Sequence, residues 1–327
     1  MTWVTWRQYR HQSALAAALL AALAVLLLIT GLRAAQVWHS ALADCTKDGT
    51  CGSLANSPLS LGSPLVATLI VATAAVPLLP GLFWGAPMVA HELETGTNQF
   101  AWTQSITRRR WLAVRTGWLL LAAAILAGAV SALVTWWSGP YSALQANAFQ
   151  ANHFDVTGIV PVSYAIFAVA LGICAGTLLR RTLPALAVTL AGFAALRVLT
   201  SQWLRLHYMT PVTVYSKLTA PFTPAGSYLG VSNGIITPAR TPAVAGANVP
   251  AYGGIPIPAA CQHFMGNNSA SLHAIVSCMA AHGYRQYLTY QPASRFWAFQ
   301  GIETAIFIAL AAALLAATFW ILSRRDA

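Results

Sequence analysis

Six long apolar runs punctuated by short arginine clusters constrain this chain more than any other feature. They cover Ser13–Leu32, Pro64–Ala90, Trp111–Trp137, Ile159–Leu179, Leu183–Leu199 and Phe296–Leu322. Each is near the roughly 20 residues that an α-helix needs to cross a hydrocarbon layer of about 30 Å. In lipid, backbone groups find no water, so a run of this kind must close its own hydrogen bonds as a helix. Only 8% of the residues are charged and 57% are apolar. So few charges do not make a water-facing surface, which typically draws on about 25% charged residues. The sequence therefore predicts an all-α integral membrane protein with six transmembrane helices. The first run follows Arg7 and Arg10 and is longer than the core of a cleaved signal peptide, so it reads as a retained span.

The arginines give the orientation. Arg7, Arg10, Arg108, Arg109, Arg110, Arg115, Arg180, Arg181, Arg324 and Arg325 all fall on one side of the six-span arrangement. The positive-inside rule makes that side cytoplasmic, with both termini there. The net charge of +11 is thus distributed as a topology signal. A nucleic-acid reader would gather its positives on one soluble face, and nucleic-acid binding is excluded on this ground. Cys45, Cys51, Cys261 and Cys278 fall in the opposite, outer segments, where disulfides form. Four cysteines allow three pairings, of which Cys45–Cys51 with Cys261–Cys278 is the most economical. Cys174 is alone inside the fourth span.

The chain divides into an amphipathic interfacial helix at 1–12, spans one to five over 13–201, an extracytoplasmic domain at 202–295, and the last span with a cytoplasmic tail at 296–327. The 1–12 segment carries Trp3, Trp6, Tyr9 and two arginines, a composition suited to the membrane interface. Prolines break 202–295 into turns and short extended pieces, and one helix is expected near Ser269–His282, ended by Gly283. Inside the bilayer, Arg197 and Glu303 stand at similar depth near the outer ends of consecutive spans, so an ion pair between them is expected. Gly81–Gly85 and Gly172–Gly176 match a small-residue helix-packing pattern. Pro77, Pro80 and Pro87 predict a kinked second span.

Chemistry-bearing motifs are sparse. The chain has no Gly-rich phosphate loop, no His-Glu-x-x-His and no Gly-x-Ser-x-Gly. Its eight histidines are scattered. This argues against a membrane enzyme acting on lipid-linked substrates. A membrane sensor or immunity factor that binds a ligand with its outer domain is the alternative reading.

Segment 91–110, between the second and third spans, carries Glu92 and Glu94, a short helix expected over about 97–104, and the Arg108–Arg110 cluster. Trp6-Arg-Gln-Tyr-Arg10, Glu92-Leu-Glu-Thr-Gly-Thr97, Trp102-Thr-Gln-Ser-Ile-Thr-Arg108 and Tyr290-Gln-Pro-Ala-Ser-Arg-Phe-Trp297 together resemble the permease subunit of an ABC-2-type transporter, of the kind found in actinobacteria. The resemblance implies a plasma-membrane exporter subunit without ATPase activity or a cofactor of its own. The implied partners are two copies of an ABC ATPase that bind ATP and Mg, a second permease (identical or related), and membrane lipids. It places Glu92, Glu94, Gly96, Phe100, Trp102 and Arg108 at the ATPase interface, with 91–110 as the coupling segment. The implied cargo is a hydrophobic compound, a peptide antibiotic or a lipid. The outer segment at 202–295 is larger than the family pattern implies.

Overall fold

In the computed structural model, the described residues are 14, 17–36, 64–95, 108–144, 149, 151–218, 228–237, 251–252, 255–264 and 269–324. They form two compact units: residues up to Arg205 together with Trp297 onward, and Leu206–Phe296.

Among the described residues, six helices are long and apolar enough to span a membrane: Ala17–Gln36, Pro64–Glu92, Leu112–Ser138, Val160–Leu179, Thr182–His207 and Ala293–Leu322. The fourth is the hub. In its most apolar stretch 72% of the residues are buried inside the protein, against 17–39% for the others. Its apolar side chains interlock with the second, third and sixth spans through Met88, Val89, Leu112, Ala123, Ala165, Val169 and Ile173, with Leu315 and Phe319 against them. The first span packs separately, through Leu27 and Ala34 onto Val66, Leu69, Val134 and Trp137. The Trp137 indole donates to the Thr30 hydroxyl at 3.0 Å. Hydroxyls within the spans bond back along their own helices, as Thr73 does to the Leu69 carbonyl, Thr177 to Ile173 and Thr189 to Ala185. Lipid offers these groups no other partner.

The second span is interrupted where the prolines predict. It passes from α-helix at Pro64–Ala75 through a 3-10 turn at Val76–Leu78 and a π turn at Gly81–Gly85, then resumes as α-helix at Ala86–Thr95. Proline offers no backbone N–H and crowds the preceding turn, so the hydrogen-bond register has to shift. The glycines sit at this break. A Cβ on Gly81 would lie 2.4 Å from the Ala168 carbonyl oxygen, and one on Gly172 would lie 2.6 Å from that of Gly81. Gly81, Gly85, Gly172 and Gly176 therefore let the backbones of the second and fourth spans touch.

The fifth span corrects the sequence reading. The apolar run was expected to end at Leu199, but the helix continues through a π turn at Thr200–Leu204 and a 3-10 turn at Arg205–His207. Thr200, Ser201, Gln202 and Arg205 lower the hydropathy without ending the helix.

The unit Leu206–Phe296 contains a three-stranded antiparallel sheet. β1 (Val212–Lys217) and β2 (Tyr228–Ile236) flank β5 (Arg285–Pro292) on either side. Val212 faces Tyr290, and Tyr228 faces Pro292. β3 (Ala251–Tyr252) and β4 (Ile255–Pro256) form a small hairpin. The expected helix is present at Ser269–Ala281, followed by Gly283 at φ +82°. A disulfide joins Cys261 to Cys278, with their Cα atoms 5.8 Å apart, beside a core of Leu218, Ile257, Ile275 and Met279. Gln291 is fully buried and donates to the Met209 carbonyl at 2.6 Å, while Arg295 reaches the Thr210 carbonyl at 2.6 Å.

Candidate functional site

Asp155, Tyr164, Arg197, Arg205 and Glu303 form one buried cluster among the fourth, fifth and sixth spans. Arg205 and Glu303 are about as buried as residues can be, at 1% and 0% exposure. Arg205 Nη2 donates to Asp155 Oδ1 at 2.5 Å and to Glu303 Oε1 at 2.9 Å, and its Nε donates to Glu303 Oε2 at 3.1 Å. Arg197 Nη2 donates to Asp155 Oδ2 at 2.7 Å. The Tyr164 hydroxyl donates to Glu303 and lies 3.4 Å from Asp155 Oδ1. Each guanidinium also lies on an aromatic face, Arg197 at 4.2 Å from the Tyr164 ring centre and Arg205 at 4.1 Å from that of Phe154. Cation–π contacts strengthen where water is absent.

Local structure explains the convergence. Arg197 and Arg205 are eight residues apart, which in an unbroken α-helix leaves them about 80° apart around the axis. A π turn inserts one extra residue and brings the pair to within roughly 20° of one face. Asp155 lies in the turn before the fourth span. That turn is held by Gln300 of the sixth span, whose Oε1 accepts from the Ile159 and Val160 backbone N–H groups at 3.1 and 3.0 Å. Its Nε2 donates to the Phe154 and Thr157 carbonyls at 3.1 and 3.2 Å. Gly158, at φ +72°, lets Gln300 in: a Cβ there would lie 2.7 Å from its Oε1. Ser131 of the third span donates to the Gly158 carbonyl at 2.7 Å.

Two carboxylates and two guanidiniums make the cluster neutral as a set. Each acid is held by an arginine, so neither is placed as a free general base. The cluster is a clamp on three spans. Its disruption would expose buried charge, which is what makes such a clamp all-or-none. Arg197 and Glu303, expected as an ion pair, both belong to this wider arrangement, in which Arg197 binds Asp155 and Glu303 binds Arg205. Sequence reasoning missed Asp155 and Arg205.

A second set of contacts stands at the other end of the fourth span, about 30 Å away at 1.5 Å per residue. There Arg180 adopts the left-handed conformation at φ 54° and closes the helix, its N–H donating to the Gly176 carbonyl at 3.0 Å. The fifth span starts two residues later. Glu94, from the extension of the second span, accepts from the Thr182 backbone N–H at 3.1 Å and from its hydroxyl at 2.7 Å. This is an N-cap supplied from another helix. Those two bonds hold the Glu94 carboxyl below its ordinary pKa. Glu92 forms a salt bridge with Arg115 of the third span. The two acids expected at an ATPase interface are therefore bound to this chain's own third and fifth spans. The third-span helix begins at Arg108. Gly96, Phe100, Trp102, the expected 97–104 helix, Cys45, Cys51 and the 1–12 segment lie outside the described residues.

Among the described residues, Cys261, Cys278 and His282 are the group whose ligand atoms lie close enough for a metal, but the disulfide occupies both sulfurs.

The family model for "ABC-2 membrane transporter related" proteins matches residues 17–205. The chain belongs to this family. The match stops at Arg205, where the second compact unit begins one residue later. No curated protein and no solved structure matches the chain. As an ABC-2 permease the chain is a multi-pass plasma-membrane transport component, and its family works with an ABC ATPase.

Proposed function

We propose that this chain is the membrane subunit of an ATP-driven exporter, oriented with Arg108, Arg180 and Arg181 in the cytoplasm and Leu206–Phe296 outside. The carrying observation is the bracing of the end of the second span. Glu92 holds the third span and Glu94 the fifth, so a displacement of segment 91–110 is delivered to three spans at once. A separate ATPase, two copies to two permeases, docks on that segment through Gly96, Phe100, Trp102 and Arg108. It supplies ATP and Mg, while this chain supplies the path. The lipid-exposed apolar flanks of the spans and the scarcity of charge suit a hydrophobic compound, a peptide antibiotic or a lipid as cargo.

The test is affinity purification from native membranes. The expected result is a stoichiometric ATPase whose retention is lost in Trp102→Ala with Arg108→Glu. Recovery of the intact chain with no ATPase under several detergents would sink the reading.

A further inference from the structure

Resting on that permease reading, we propose that Glu94 is a positioning residue that makes the fifth span a transmission rod, linking the coupling segment at one end to the Arg197/Arg205 clamp at the other.

The fifth span is held by polar contacts at both of its ends. At its first residue, both donors of Thr182 are taken by Glu94. At its far end, Arg197 and Arg205 hold Asp155 and Glu303. Between these two anchorages one face packs on the second and fourth spans, through Ala185 against Ala86 and Ala175 and Phe193 against Tyr164 and Phe167, and the rest of its surface is exposed. A hydrogen-bonded helix gripped at its two ends transmits displacement along its axis as a unit. The π turn at Thr200–Leu204 stores the register change that places Arg205 on the clamp. Axial pull at Thr182 therefore acts on the two guanidiniums together. Glu92 has no such reach, because its partner Arg115 lies near the start of the long third span, which contributes no side chain to the clamp. The assignment also revises what Glu94 is for: it passes motion on within this chain instead of touching the ATPase.

Hydrogen exchange on the permease–ATPase complex in nanodiscs tests this, comparing the nucleotide-free state with the ATP–vanadate-trapped state. In the wild type, amides over 195–207 are expected to exchange about tenfold faster in the trapped state as the clamp opens. Glu94→Ala is expected to shrink that difference to less than about twofold while hydrolysis continues. Glu94→Gln keeps an oxygen that accepts the same two bonds and should behave as the wild type. Thr182→Pro removes both donors from the other side. Position 182 is the first residue of the helix, where proline is tolerated, and Arg181 before it is already extended at φ −135° and ψ 132°. It should reproduce Glu94→Ala, and the two together should add nothing.

An undiminished response at 195–207 in Glu94→Ala or Thr182→Pro overturns the inference, as does loss of the response in Glu94→Gln. A wild-type response confined to 91–110 overturns it too, leaving the permease reading intact. No nucleotide response anywhere in the wild-type chain counts against the permease reading itself.

Discussion

Replacing Arg205 with methionine removes a guanidinium while keeping most of the side chain's bulk, so the effect is chiefly electrostatic. Three hydrogen bonds to carboxylate oxygens disappear, one to Asp155 and two to Glu303. Asp155 keeps Arg197, while Glu303, fully buried, keeps the Tyr164 hydroxyl but loses the guanidinium that neutralises it. The cluster passes from neutral to one net negative charge away from water. Breaking a buried pair in this way costs about 3–5 kcal/mol. At roughly 2–4 °C per kcal/mol for a unit of this size, the melting temperature should fall by about 6–20 °C. Tryptophan fluorescence on the purified protein in nanodiscs reads the shift. Adding Glu303→Gln restores neutrality, and the double variant should recover more than half of the loss. If Arg205→Met costs less than about 1 kcal/mol, or the two substitutions simply add, the residues are not coupled and the clamp argument fails.

Three further outcomes are expected. Gly172→Ala should lower the melting temperature by an amount equivalent to about 1–3 kcal/mol, because its Cβ meets the Gly81 carbonyl, whereas Gly301→Ala, with open space around it, should leave it unchanged. Replacing Cys261 and Cys278 with serine opens a loop of 17 residues and should destabilise the unit Leu206–Phe296 by about 3 kcal/mol, read as faster proteolysis within that unit. The Glu94 cap should be pH-dependent in one direction. Its carboxyl titrates lower when folded than when unfolded, so the stabilisation is complete above the ordinary carboxylate range and is lost as pH falls through the lowered folded value. The stability difference between wild type and Glu94→Ala should thus hold from pH 7 to about 5 and shrink below about 4. A difference that grows on acidification would contradict the assigned hydrogen bonds.

Much of the bundle was legible in the sequence because a bilayer imposes length and hydropathy directly. The proline-marked break in the second span and the glycine pairs on the second and fourth spans could be read for the same local reason. Arg205 was not legible. Its neighbours Ser201 and Gln202 look like the start of a loop, and helical periodicity of 3.6 turns it away from Arg197 unless a π turn is known. Asp155 has no periodic context at all; its meaning comes from Gln300 pinning its turn from a residue 145 positions later, a relation that only tertiary structure supplies. Glu92 and Glu94 were read from the resemblance alone as surface contacts, whereas their partners, Arg115 and Thr182, lie on other helices. The sheet escaped notice because β5 resembles an aromatic approach to the last span, and strand pairing between β1 and β5 is a long-range relation.

The register of β1 against β5 also bears on how the chain has been able to change. Val212 and Tyr290 are neighbours, so the unit between the fifth and sixth spans begins and ends at nearly the same place. A segment with adjacent ends can lengthen, shrink or be exchanged without shifting the helices that carry it, and the entropy of closing it rises only slowly with its length. The sequence at 212–292 can therefore vary while the clamp and the glycine contacts of the bundle stay untouched.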